Sequence, residues 1–301
     1  MDYFNSHLGE LSALVTAVCW TATSMAFESA GKKVGSLSVN LIRLVMALFL
    51  LGIYTCLTKG HFWPSNAGEH AWFWLSLSGL IGFVAGDLML FQAFVVVGAR
   101  VSMLIMSLSP PLAALFGLII LGERMTLINL TGMIVTLTGI ILVVLTRPGN
   151  GKKIHFNFPL KGLLLAFGGA SGQALGLVLS KLGMGNLDPF MSTQIRIIAG
   201  IVGFTIVFTL LRRWANVWEA LRNQSAMKRI SVGAFFGPFL GVSFSLMAIK
   251  YTSTGIASTL MALTPVMILL PARYIFKENI TTKEVVGAFI AVAGVVVFFV
   301  F

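Results

Sequence analysis

Apolar residues fill this chain in blocks of about twenty, and short polar or charged connections separate the blocks. The blocks fall at about 9–29, 36–58, 72–97, 101–121, 126–146, 160–181, 190–211, 229–249, 255–276 and 281–301. A hydrocarbon core of about 30 Å needs roughly 20 apolar residues per helix. The blocks are too long and too continuously apolar for the strands of a membrane barrel, the other spanning solution. The pattern predicts an all-α integral membrane protein with ten transmembrane helices.

A repeat lies over this pattern. The stretch Leu104–Val144, LIMSLSPPLAALFGLIILGERMTLINLTGMIVTLTGIILVV, lays without a gap on Thr259–Phe299, TLMALTPVMILLPARYIFKENITTKEVVGAFIAVAGVVVFF. Ser109-Pro110 falls on Thr264-Pro265, Glu123 on Glu278, Gly132 on Gly287 and Gly139 on Gly294. The same offset of 155 residues carries Gly86 onto Gly241, and a two-residue slip further upstream carries Arg43 onto Arg196. Residues 1–146 and 160–301 are therefore read as two five-helix repeats, joined by the polar linker 147–159. Five is odd, so the second copy is expected to enter the membrane inverted, with a substrate site between the halves.

These landmarks carry a family resemblance. A proline-bearing helix, a Gly122-Glu123-Arg124 turn and a glycine-bearing helix close the first half, and Pro265, Lys277-Glu278-Asn279 and Gly287/Gly294 close the second. The arrangement resembles the EamA family of the drug/metabolite transporter superfamily, although the second turn lacks the Gly and Arg. The resemblance implies a ten-helix transporter with a central cavity, both termini inside, and neither ATP nor a cofactor. The substrate is left open, since members of the family move amino acids, other metabolites and drugs. Absence of a Walker loop in the sequence agrees on ATP.

Composition narrows the reading. The chain has 301 residues, 57% hydrophobic and 10% charged, against about a quarter charged in soluble domains. Its net charge of +11 does not indicate nucleic acid, because most Lys and Arg sit in connections where they meet lipid headgroups. Cys19 and Cys56 lie inside apolar blocks and read as small packing residues, and no His/Cys cluster suggests a metal. The N-terminal segment lacks a basic region, so the first block is read as a retained helix rather than a cleaved signal. Lys and Arg concentrate on the face that holds loops 1–2, 3–4, 5–6, 7–8 and 9–10. The positive-inside rule would place that face in the cytoplasm and both termini outside, in conflict with the resemblance, so the direction stays open.

Ionisable groups inside a span are costly, by about 2.5–3.5 kcal/mol on insertion scales, and mark function by default. Asp87 lies inside helix 3, with Val242 at its repeat mate. Arg43 enters from the same face at a similar depth, and Glu28 ends helix 1 there, so the three form a candidate charged cluster. Either Asp87 titrates or binds a cationic group while Arg43 binds a carboxylate, or the pair simply locks helix 2 to helix 3. Arg196 has no interior acid in its own half. On helix 1, Trp20 and Ser24 lie on a small-and-polar stripe, and Gln173 occupies the place of Trp20 in helix 6. That stripe could equally be close helix packing. Phe91 is a candidate cavity wall, and Pro110 and Pro265 are candidate gating kinks. Glu123 and Glu278 read as turn or cap residues, and Lys250 and Arg273 as snorkelling cations.

Two protease readings fail. GASG at Gly169–Gly172 fits a GxSG motif, but all four histidines, His7, His61, His70 and His155, lie outside the spans. VAGD at Val84–Asp87 lacks the first glycine of GxGD and a second membrane aspartate. The expectation is a non-enzymatic secondary exporter of a small metabolite, an amino acid or related amphiphile, working by alternating access through a central cavity in a bacterial inner membrane. Its partners would be the small-molecule substrate, membrane lipid and, as candidate coupling ions, protons. An uncoupled facilitator and a drug or other-metabolite permease of the same fold are the alternatives. Buried polar residues in both halves argue against a membrane scaffold or sensor.

Overall fold

The computed structural model describes residues 6–146, 159–274 and 280–300, and of these all spanning elements are helices. Among the described residues, ten helices are long and apolar enough to cross a membrane: α1 (Leu8–Val34), α2 (Ser36–Lys59), α3 (Glu69–Ala93), α4 (Ser102–Leu121), α5 (Leu127–Leu145), α6 (Leu160–Met184), α7 (Pro189–Leu211), α8 (Gln224–Tyr251), α9 (Thr254–Pro271) and α10 (Thr282–Val300). Most of the linker, the Glu278 turn and the side chain of Glu28 lie outside the described residues. The bundle is apolar on its outside, with Leu127, Phe289 and Ile119 exposed by 81%, 73% and 69%, while Thr16, Gln194 and Ser243 are wholly buried. That inversion of the water-soluble pattern suits a hydrocarbon surround, where every backbone polar group must be satisfied within its own helix. This is an integral membrane protein.

Several boundaries differ from the sequence blocks: α1 runs on to Val34, and α3 spans Glu69–Ala93 where the block covers 72–97. Helix α8 begins at Gln224 rather than near 229, because Asn223 caps it by accepting a hydrogen bond from the Ala226 amide at 3.0 Å. The α7–α8 connection, read from sequence as loop, contains a short helix, Trp214–Arg222. It buries Val217 and Ala220 and leaves Trp214, Trp218 and Leu221 exposed, as an interfacial helix does.

The packing partners follow the repeat. Helix α1 packs on α8 as α6 packs on α3, and α2 packs on α7, α4 on α9 and α5 on α10. Exchanging the halves maps the set onto itself: α1–α8 becomes α6–α3, and each of the other three pairs becomes itself. Equivalent helices run antiparallel where they meet. On α5 and α10, Gly139 lies against Gly287 and Ala291, and Gly132 against Gly294 and Val297. A Cβ on Gly139 would fall on the backbone nitrogen of Ala291, so only glycine allows this approach. On α2 and α7, Tyr54 stacks on Phe190 with ring centroids 4.3 Å apart, whereas Leu44 meets Gly200, further from the same helix ends.

Helices α3 and α8 share a second device. Each is interrupted by a π-helical stretch, Leu80–Gly86 and Phe235–Gly241, again 155 residues apart. A π turn widens the helix by one residue and shifts the side chains that follow it. In α3 the first residue after that shift is Asp87. Helices α4 and α9 are broken at equivalent places, Ser107–Leu108 and Ala262–Leu263, just before Ser109-Pro110 and Thr264-Pro265. Proline there opens a new helical segment instead of kinking a continuous one, since its missing N–H is needless at a first turn.

Candidate functional site

Asp87 is buried, with 7% of its surface exposed, and both its carboxylate oxygens are engaged. Arg43 on α2 donates from Nη2 to Oδ2 in a close ion pair. Gln173 on α6 donates from Nε2 to Oδ1 at 2.8 Å and also lies 3.3 Å from the carbonyl of Gly82, inside the π stretch. One carboxylate thus joins a helix of the first half, α2, to a helix of the second, α6. Low dielectric strengthens both links, and leaving either partner unmatched would be costly.

Arg196, on α7, completes the group. It is 4% exposed, its guanidinium carbon lies 4.8 Å over the ring centroid of Phe83, and it is within electrostatic reach of Asp87. No hydrogen bond joins it to Asp87, whose side-chain partners are Arg43 and Gln173. Its repeat mate Arg43 is placed alike, 5.3 Å over the Phe27 ring. Gly82 makes room for Arg196: a Cβ there would come within 3.3 Å of Nη2.

The structure brings together Asp87, Arg43, Gln173 and Arg196. Of the other sequence candidates, the Glu28 side chain lies outside the described residues and the rest are not brought in. Ser24 is exposed and turns its hydroxyl back to the Thr21 carbonyl at 2.9 Å. Trp20 packs on α8 beside Gly241, as Gln173 packs on α3 beside Gly86, so equivalent residues meet equivalent glycines but only Gln173 reaches a charge. Phe91 is half-buried a turn beyond Asp87. Pro110 is buried and Pro265 half-buried at the helix breaks, away from the charged group.

A second polar cluster joins the halves near the membrane surface. Glu123, in the α4–α5 turn, accepts hydrogen bonds through Oε2 from the Thr254 amide at 2.8 Å and its hydroxyl at 2.7 Å. Lys181, at the end of α6, lies 2.6 Å from Glu123 Oε1 in a charge contact rather than an aligned hydrogen bond. Its Nζ also donates to the Thr252 carbonyl at 2.6 Å. The turn that presents Glu123 depends on Gly122, whose φ of 69° suits glycine. Beside this cluster Lys250 donates to the carbonyls of Asn186 and Leu187, at 3.3 and 2.9 Å. It ties α8 to the α6–α7 turn and does not reach freely toward headgroups. The sequence reads Glu123 as a turn or cap residue and Lys250 as a snorkelling cation, because Thr254, the hydrogen-bond partner of Glu123, is 131 positions away. The signal available was Lys181 standing where the first half has Glu28.

A bundle of two matched five-helix halves, with a charged group shared between them in the membrane, is an arrangement suited to a membrane transporter. The sequence matches the EamA-like transporter family over residues 7–145 and 160–300, once for each half, and the chain belongs to that family. It is accordingly a membrane transporter of the drug/metabolite type. A crystal structure superposes on it with a TM-score of 0.79 over 96% of each chain at 17% identity, which is likeness of fold. An uncharacterised protein of Haemophilus influenzae is 28% identical over 103 residues, 34% of this chain and 75% of that protein.

Proposed function

We propose that the protein is a secondary exporter of a small amphiphilic metabolite, an amino acid or relative, in a bacterial inner membrane. It works by alternating access between two inverted halves, through a cavity between the α1–α8 and α3–α6 pairs. The observation that carries this reading is Asp87 held at once by Arg43 of the first half and Gln173 of the second. A relative movement of the halves must break or re-form one of those links, so the carboxylate is coupled to the conformational cycle. Antiparallel contact between α5 and α10 supports the inverted arrangement. The Glu123–Lys181–Thr254 cluster fits a gate that is shut at its own face.

The test is substrate counterflow in proteoliposomes over an amino-acid and metabolite panel, wild type beside Asp87→Asn, with and without a pH gradient. Counterflow retained in Asp87→Asn with loss of gradient-driven accumulation supports proton coupling through Asp87. The close Arg43–Asp87 pair favours a second reading, an uncoupled facilitator in which the pair only fastens α2 to α3. Wild-type protein that equilibrates substrate but never accumulates it, whatever the gradient, selects that reading.

A further inference from the structure

The charges around Asp87 do not balance. Among the described side chains in this layer of the membrane, one carboxylate faces two guanidiniums, and Arg43 and Gln173 already occupy its two oxygens. Arg196 is the cation left over. Its Nε–H is enclosed without a hydrogen-bond partner, and its one close neighbour of opposite character is the face of Phe83. Arg43 also has an unpaired Nε, but its Nη2 is fixed on Asp87. A buried guanidinium without an anion costs several kcal/mol in a medium of low dielectric. That cost is recovered if some step of the cycle supplies the anion.

We infer that Arg196 binds the carboxylate of the transported molecule, and that this carboxylate, not an amine, is the group the protein requires. The inference deepens the carrier reading and rests on it. Nε and Nη2 lie along one edge of a guanidinium, the edge that takes a carboxylate through two parallel hydrogen bonds. On Arg196 the Nε is unpaired and the Nη2 lies beside Gly82, where a larger residue would crowd it. Phe83 holds the guanidinium by its ring face, 4.8 Å from the centroid, and takes none of its N–H hydrogen bonds, so the Nε donor stays unpaired in this closed arrangement. Asp87 is a poor acceptor for a substrate ammonium, because such a group would have to displace Arg43 or Gln173. An anionic carboxylate restores the balance of charge and a zwitterion supplies the missing partner locally, whereas a bare amine worsens the imbalance.

The experiment uses matched probes on one scaffold: phenylalanine, 3-phenylpropionate and phenethylamine, with leucine, 4-methylpentanoate and isoamylamine as a second set. Counterflow in proteoliposomes and the melting temperature of purified protein are both read, for wild type, Arg196→Gln and Arg196→Lys. Wild type is expected to exchange, and be stabilised by, the carboxylate-bearing members but not the amines. Arg196→Gln should raise the half-saturation concentration for carboxylates about tenfold or more, as loss of a charge-assisted pair requires, with Arg196→Lys between the two. If Arg196→Gln does not fold, Phe83→Leu, which removes the ring under the guanidinium, should shift carboxylate half-saturation in the same direction. Amines exchanged as well as acids, or an unchanged half-saturation in folded Arg196→Gln, would overturn the inference. Carboxylates that stabilise wild type but not Arg196→Gln, without any exchange, uphold the anion site and sink the carrier reading for this substrate class. Carboxylates that neither exchange nor stabilise sink the anion site itself.

Discussion

Removing the Glu123 carboxylate should open the surface cluster without unfolding the bundle. Glu123 accepts two hydrogen bonds from Thr254, at the N-terminus of α9, and touches Lys181. A hydrogen bond to a charged group contributes about 1.5–3 kcal/mol, and loss of a cap costs roughly 1 kcal/mol. The Lys181 side chain is 25% exposed and that of Glu123 15%, so the ion pair adds at most about 1 kcal/mol. Glu123→Ala should therefore cost the closed arrangement about 3 kcal/mol, a population change of about a hundredfold. Glu123→Gln keeps one acceptor oxygen and loses the charge, so its effect should be near half of that. Hydrogen exchange at Thr254–Leu260 reads the opening directly, because those amides begin α9 beneath the cluster. Exchange there should accelerate by about a hundredfold in Glu123→Ala, while amides in the middle of α5 and α10 keep wild-type rates. A cycle with Lys181→Met should show the two residues coupled. Unchanged exchange at Thr254–Leu260 in folded Glu123→Ala would refute the reasoning, since the cluster would then hold nothing shut.

Three other outcomes are expected. Asp87→Asn leaves the buried Arg43 without its counter-charge and should lower stability by about 3–5 kcal/mol, with Asp87→Asn/Arg43→Gln recovering much of the loss in a melting curve. Gly139→Val places a side chain on the Ala291 backbone and should lower the melting temperature or abolish folding, whereas Ile134→Val on the lipid-facing side of α5 should change little. Lys250→Met breaks two hydrogen bonds to the α6–α7 turn and should cost about 1 kcal/mol, and a melting curve identical to wild type would return Lys250 to a snorkelling role.

The parts legible in the sequence are those that repeat or that cost free energy locally. Ten apolar blocks give ten helices because span length is set by the bilayer. Asp87 and Arg43 stand out because a charge within a span demands a reason. Gly139 and Gly287 stand out as glycines at matched positions, and close helix approach explains them. The Glu123–Thr254 link was not legible, because each partner taken alone looks like an ordinary helix end. Nor was the link from Gln173 to Asp87, which depends on how α6 rotates against α3. Trp214, Val217, Trp218 and Leu221 did carry a helical period that would have located the short interfacial helix.

The paired π stretches have a consequence for energetics. With Leu80–Gly86 and Phe235–Gly241 matched in backbone, and equivalent helices crossing antiparallel, either half can supply nearly the same main-chain interactions as the other. In the proposed cycle the two end states are then close to degenerate as far as the backbone is concerned. Their remaining difference rests on residues without a matching counterpart: Asp87 against Val242, Gln173 against Trp20, Lys181 against Glu28. A bias of 1.4 kcal/mol, within the reach of one such side chain, already sets a tenfold preference for one resting state. Which way this carrier rests is thus a property of a few substitutions laid on a symmetric frame, open to reversal by as few.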